Sequence, residues 1–134
     1  MFSACKYLKS IPKINNIKPG GMSKMFQQCC SLKEIPDDID ANWDWSYVES
    51  NTFSRPAIFY ECYSLRKYPN SLLNHGKPST SYSSSIYMNL FNNCASLDEI
   101  IDLPMIYTES AWASDGFSSC VSGCGRLKNF TFAL

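Results

Sequence analysis

Apolar residues in this chain fall into a pattern that returns along its length. Residues 1–12 and residues 25–36 share the spelling Met-Phe-x-x-Cys-x-x-Leu-x-x-Ile-Pro. The first copy is Met1-Phe2, Cys5, Leu8, Ile11-Pro12, and the second is Met25-Phe26, Cys29, Leu32, Ile35-Pro36. A third copy runs through Phe59, Cys62, Leu65 and Tyr68-Pro69, and a fourth through Phe91, Cys94, Leu97 and Ile100. A fifth is split: Phe117-x-x-Cys120 supplies its first half, and Cys124-x-x-Leu127-x-x-Phe130 its second. Met22, Met25, Phe26 and Cys29 fall at i, i+3, i+4 and i+7, as do Tyr87, Leu90, Phe91 and Cys94. That spacing predicts one face of a short helix. The following Leu-x-x-Ile-Pro is too short for a helix and ends in a residue without a backbone donor, so it predicts a strand of three or four residues. Each unit therefore reads as helix, tight turn at the cysteine, short strand, variable loop. One unit cannot bury its apolar face alone, and a stacked neighbour must cover it. The Phe, Leu and Ile positions are expected to form one continuous core.

The Phe, Cys, Leu and Ile spacing resembles the BspA-like class of leucine-rich repeats, whose units run approximately F-x-x-C-x-x-L-x-x-I-x-[L/I]-P. The units here are longer than the family's usual ones, and the proline directly follows the Ile. The resemblance implies an α/β fold: a leucine-rich-repeat solenoid with short parallel strands on one face and short helices on the other. About five repeats with long inserted loops would make up a single domain over residues 1–134. BspA-like repeats are typical of bacterial surface adhesins, and similar Met-Phe-x-x-Cys-x-Ser-Leu repeats look common in structural proteins of phages from gut bacteria. The implied role is non-enzymatic: a surface or virion module, such as a phage appendage or adhesin, presenting loops to a host receptor or glycan. The alternative is an assembly module of a virion that stacks on partner chains. Either role places the chain outside the cell, on a virion or a bacterial surface. Met1-Phe2 already lies within the motif, and Phe130, Phe132 and Leu134 still alternate like a strand at the other end. Neither end carries the polar cap usual in solenoids. The expectation is a segment of a longer protein, or an array capped by partner chains.

Composition narrows the partners. The 134 residues suit one compact unit, and 12 basic and 12 acidic side chains cancel. A nucleic-acid binder normally carries a basic excess, so none is expected here. No apolar run approaches membrane length, and no signal peptide is visible. Other protein chains, a glycan or a second copy of the chain remain as partners.

Seven cysteines are many for this length, and the number is odd. Zinc sites want paired Cys knuckles or Cys with His; here there is one loose knuckle, Cys120 and Cys124, and one histidine. The simpler reading makes Cys5, Cys29, Cys62, Cys94 and Cys124 a single repeat column of small, buried, reduced side chains, with no metal and no cofactor. Disulfides between stacked neighbours are left open, and Cys30 lies off the column.

His75 sits in a Gly/Pro/Ser loop with no nucleophile motif around it and is expected to be solvated rather than catalytic. Asp37-Asp38 and Asp98-Glu99 fall at strand edges, where charge serves solubility. Gly20-Gly21 lacks the Lys-Ser/Thr of a phosphate loop. No enzyme is indicated. The long connections carry aromatic rings among polar residues: Trp43, Trp45 and Tyr47 after the second copy, Tyr107 and Trp112 after the fourth. Such rings favour recognition, and these five are the candidate binding residues. The competing expectation, slightly favoured for Trp43 and Trp45, is that the rings fold back as a lid over the core. Ser10, Glu34, Lys67, Glu99 and Asn129 are expected to face outward from the strands, a column of mixed charge that suits no uniformly charged polymer. Neutral chain and acid-leaning loops together predict binding that survives moderate salt.

Overall fold

The computed structural model describes residues 1–49, 57–75, 87–104 and 119–133. Each copy of the motif is a run of tight turns. Cys5, Cys29, Cys62 and Cys94 each donate their backbone N–H to the carbonyl of the Phe three residues earlier, and the Leu three residues later donates to the cysteine carbonyl. The residue just before each column cysteine is left-handed: Ala4 at φ 62°, Gln28 at 60°, Glu61 at 57°, Asn93 at 62° and Gly123 at 74°. A positive φ at the third position of a four-residue turn is the type II geometry. One turn earlier, Lys24, Ala57, Asn89 and Ser119 are left-handed as well.

These dihedrals correct the expected short helices. A right-handed helix needs negative φ throughout, and none forms at Met22–Cys29 or at Tyr87–Cys94. The physical reason lies in where the amides point. In a helix they would be taken up by the chain's own carbonyls four residues back. Here the turns aim them at the next copy: Phe26 N–H donates to Ile58 O at 2.9 Å and Gln28 N–H to Tyr60 O at 2.7 Å. Phe59 and Glu61 donate in the same way to Leu90 and Asn92, and Phe91 and Asn93 to Cys120 and Ser122. Phe2 and Ala4 donate to Met25 and Gln27.

This ladder sets the copies one on another in chain order. The rings of Phe2, Phe26, Phe59 and Phe91 stack nearly parallel, with successive centroids 5.4, 5.9 and 5.3 Å apart. Phe26, Leu32, Ile35, Phe59, Leu65, Phe91, Leu97 and Ile100 are fully buried in one cluster, and Ile11 is buried beside them. Phe2, Leu8, Tyr68, Cys124 and Leu127 are partly buried against it. Two expected core residues are not in the core. Cys5 and Phe130 are exposed, Phe130 to 39%. Both stand in the outermost described copies, where no further copy covers them.

The fifth copy is also in a different phase from the one expected. Val121, not Phe117, takes the ring position, because Phe91 N–H meets Cys120 O and the Cys124 thiol meets Phe91 O. Cys120 thereby fills the position that Met25, Ile58 and Leu90 hold in the copies before it. Phe117 itself lies outside the described residues.

Strand pairing follows the Leu-x-x-Ile segments. Glu34 bridges Lys67 in parallel. Strand β1 (Glu99–Pro104) pairs in parallel with β2 (Asn129–Ala133), matching Glu99 with Asn129 and Ile100 with Phe130. β1 outruns the expected three or four residues because its proline comes at 104 rather than directly after Ile100. The register slips between Ile100 and Leu103, where Asp102 turns left-handed at φ 53° and its N–H takes Thr131 Oγ1 at 2.9 Å. A short helix α1 (Ser46–Glu49) and a 3-10 turn (Asn70–Leu73) lie in the loops. Among the described residues no helix is long and apolar enough to cross a membrane.

Candidate functional site

The column cysteines knit the copies together. Cys29 Sγ donates to Phe2 O at 3.1 Å, Cys62 to Phe26 O at 3.0 Å, Cys94 to Phe59 O at 3.1 Å and Cys124 to Phe91 O at 3.0 Å. Each thiol therefore spends its proton on the preceding copy's Phe carbonyl. Cys5, in the first described copy, has its Sγ 4.0 Å from Ser3 O instead. All seven cysteines are free thiols. Burial pushes Cys29 up to about 11 and Cys62 up to about 12, with the neighbouring thiols adding to the rise. Cys94 is likewise raised well above its ordinary value, by burial first and then by the neighbouring thiols. Thiols so held are poor nucleophiles, since the thiolate is the reactive form. Among the described residues no three His, Cys, Asp or Glu side chains stand together as a metal site.

Three loops lie side by side on one flank. The connection after the second copy packs on the one after the first: Trp43 Nε1 donates to Ile14 O at 2.9 Å, and Asp44 N–H to Ile17 O at 2.8 Å. Lys13–Asp38 and Lys18–Asp44 ion pairs, at 3.5 and 3.3 Å, flank this seam. The loop after the third copy closes from the other side. Ser71 Oγ donates to Asp40 Oδ1 at 2.9 Å, and His75 Nε2 lies 3.0 Å from Asp40 Oδ2. The Trp45 ring stacks on His75 with centroids 3.8 Å apart.

Asp40 is the buried acid at the centre of this seam. Burial acts to raise its carboxyl, but the hydrogen bonds from His75 and Ser71, with a backbone hydrogen bond and the attraction of His75, hold it below its ordinary 3.8. His75 departs from the expected solvated loop residue. Its side chain is 19% exposed, pinned between an acid and an indole. Sequence reasoning missed the pairing because Asp40 is 35 positions away and no local motif links them.

The structure places the five candidate binding residues unequally. Trp43 and Trp45 are buried at 6% each, within the core cluster, and offer little area to a partner. Tyr47 is 60% exposed. Tyr107 and Trp112 lie outside the described residues.

The strand side is open to solvent. Ser10, Glu34, Lys67, Glu99 and Asn129 are all exposed. The paired carboxylates beside them are engaged in ion pairs: Asp37 with Lys67 at 2.9 Å, Asp38 with Lys13, and Asp98 with Arg126 at 3.2 Å. Shallow grooves run along this side. One of about 390 Å³ is lined by Lys9, Ser10, Lys33, Glu34 and Arg66 among others. A smaller hollow beyond it, of about 160 Å³, shares Arg66 and adds Tyr68, Asn70 and Glu99. These grooves suit an extended ligand lying on a surface better than a small molecule enclosed in a pocket.

No family model matches the chain, and no curated protein or solved structure is similar enough to match it.

Proposed function

We propose that the chain is a non-enzymatic module for recognising another macromolecule, built as a leucine-rich-repeat solenoid of the BspA-like class and carried on a bacterial surface or a phage virion. One observation supports this reading above others. The Phe stack and the thiol ladder recur from copy to copy, while the exposed strand-side residues beside them change at every copy: Ser10, Glu34, Lys67, Glu99. A repeated interior sets a regular rise and an extended face. An unrepeated exterior on that face is where a partner can be distinguished. The resemblance in sequence supplies the biological setting, since architecture alone does not fix function.

A second reading, a module that stacks on partner chains in an assembly, is favoured by the exposed outer strand β2 with Phe130 in it. One experiment separates the two. The purified chain is sized in solution, then fluorescently labelled and titrated onto intact bacterial cells. Recognition predicts a soluble monomer that attaches saturably. An obligate oligomer without attachment contradicts it and supports assembly.

A further inference from the structure

The neutral total of the chain conceals a segregated distribution. Lys6, Lys9, Lys13, Lys18, Lys24 and Lys33 all precede the first acidic residue, Glu34, and residues 34–49 then carry acids and no base. The fold cancels part of this. Lys13 and Lys18 pair with Asp38 and Asp44, and Lys67 pairs with Asp37. Besides Lys6 and Lys24, three cations are left over among the described residues: Lys9, Lys33 and Arg66. Each directly follows the core leucine of its copy, Leu8, Leu32 or Leu65, so the three hold one position in three stacked copies. Arg66 N–H donates to Lys33 O at 2.7 Å, which fixes two of them as neighbours. The Phe rings beneath give the rise per copy, 5.4 and then 5.9 Å. All three side chains are exposed, and among the described residues none enters an ion pair or a side-chain hydrogen bond.

Like charges set side by side in stacked copies repel, as they do across paired strands. A binding anion would relieve that repulsion. The row is bordered by two shallow grooves that share Lys9 and Lys33. Ser31 and Ser64 line one of them, and Ser10 and Glu34 the other. Glu34 is the acid of this lining and offsets one of the three cations. The tract ends at the fourth copy, where Asp98 takes the same position and is itself paired with Arg126 and Lys128.

We propose that the Lys9–Lys33–Arg66 row binds a linear acidic polysaccharide, its chain running along the stacking direction with one carboxylate or sulfate meeting each cation. This names a ligand for the recognition reading above and rests on it. The spacing favours a sugar chain, because the rise per copy is close to the length of one pyranose ring in an extended polymer. An extended acidic peptide advances only about 3.3 Å per residue, a poorer match to the rise of one copy. Serine hydroxyls beside the cations suit sugar hydroxyls. Tyr7, 90% exposed, and Tyr63, 44% exposed, precede Lys9 and Arg66 by two and three residues and offer ring faces for a pyranose. A single-stranded nucleic acid would want an aromatic platform for successive bases as well as a longer basic track.

The test uses the intact chain titrated with polygalacturonate, dextran sulfate, neutral dextran, polyglutamate and an oligothymidylate, each at low and at moderate salt. The expected result is binding to polygalacturonate or dextran sulfate, none to neutral dextran, and affinity that falls as salt rises, unlike the salt-tolerant binding expected of the neutral chain through its loops. The two acidic polysaccharides separate carboxylate from sulfate recognition. Lys9→Gln/Lys33→Gln/Arg66→Gln should lose at least about tenfold in affinity with an unchanged melting temperature, since these charges are unpaired and exposed. Lys13→Gln/Lys18→Gln should keep its affinity. Failure to bind either acidic polysaccharide overturns the proposal, as does equal affinity of the triple variant. Tighter binding to polyglutamate or to the oligonucleotide overturns it too. If the triple variant still attaches to cells as the native chain does, the row falls and the recognition reading stands. If the native chain binds the polysaccharide but attaches to no cells, the row stands and the cell-attachment reading falls.

Discussion

The thiol of Cys62 donates a 3.0 Å hydrogen bond to the carbonyl of Phe26, 36 residues earlier. The same bond joins Cys94 to Phe59 and Cys29 to Phe2. A cysteine at this place is thus a connector between copies. It adds a second hydrogen bond to a carbonyl that already accepts the cysteine amide of its own copy. Serine could donate as well, but its oxygen is more costly to bury.

Thiol chemistry should follow burial. With a chromogenic disulfide under native conditions, Cys5 should react at once, and Cys62 and Cys94 only after denaturation. Stability should also fall in alkali. An unfolded thiol ionises near 9.0, while the folded Cys29 and Cys62 ionise near 11 and 12. Below 9.0 their contribution is intact. As pH climbs from there towards 12, the unfolded chain gains thiolates that the folded chain resists, and stability drains away. The urea midpoint at about pH 10.5 should lie below that at about pH 8, and Cys62→Ser should show less of the drop. An identical drop in the variant would mean that Cys62 does not contribute to it.

The core columns should be costly to interrupt. Leu97 is fully buried among residues of neighbouring copies, so Leu97→Ala should destabilise by about 2–5 kcal/mol. Thermal unfolding reads this directly. An unchanged melting temperature would mean that the columns are misaligned.

Turn and helix make opposite predictions at Lys24. Its φ is 58° and it is exposed. In a helix, Lys24→Gly would cost about 1 kcal/mol. In a left-handed turn the same change removes a strain of about 1–2 kcal/mol, against a smaller entropic loss. Stability should therefore hold or rise, and a clear fall would restore the helix.

The loop seam should depend on its acid. Asp40→Ala leaves Ser71 and His75 without their shared acceptor and should cost about 1–3 kcal/mol. The carboxyl is held below its ordinary 3.8, so its contribution is present above that value and is lost as pH falls through the folded value beneath it. Native and variant chains should converge in stability in strong acid and diverge at neutral pH, as denaturant midpoints will report.

The register of the copies was legible because Phe, Cys, Leu and Ile recur at fixed offsets whatever the loops do. The turns were not. Met22, Met25, Phe26 and Cys29 have the spacing of a helix face, but two four-residue turns in tandem give the same spacing. Only the left-handed Lys24 and Gln28 distinguish them, and neither residue type announces such a conformation. The fifth copy misled because Phe117-x-x-Cys120 spells the motif, while Val121 fills the ring position unannounced. The sequence offers the rings of the second loop as binding residues or as a lid. Trp43 is held inward by an acceptor at Ile14, a contact between loops that no local pattern encodes. The cationic row was visible in principle, one position before the mixed-charge column, but net neutrality hid it.

Amide hydrogen exchange followed by NMR tests the stacked ladder most directly, since that ladder gives both the core and the spacing of the exposed row. The amides of Phe26, Gln28, Phe59, Glu61, Phe91 and Asn93 all donate to the following copy. They should be the slowest in the chain and should open together, as one cooperative unit. Exchange of these six as fast as that of an exposed loop amide, or protection of the 22–29 amides in the pattern of a continuous helix, would contradict the account.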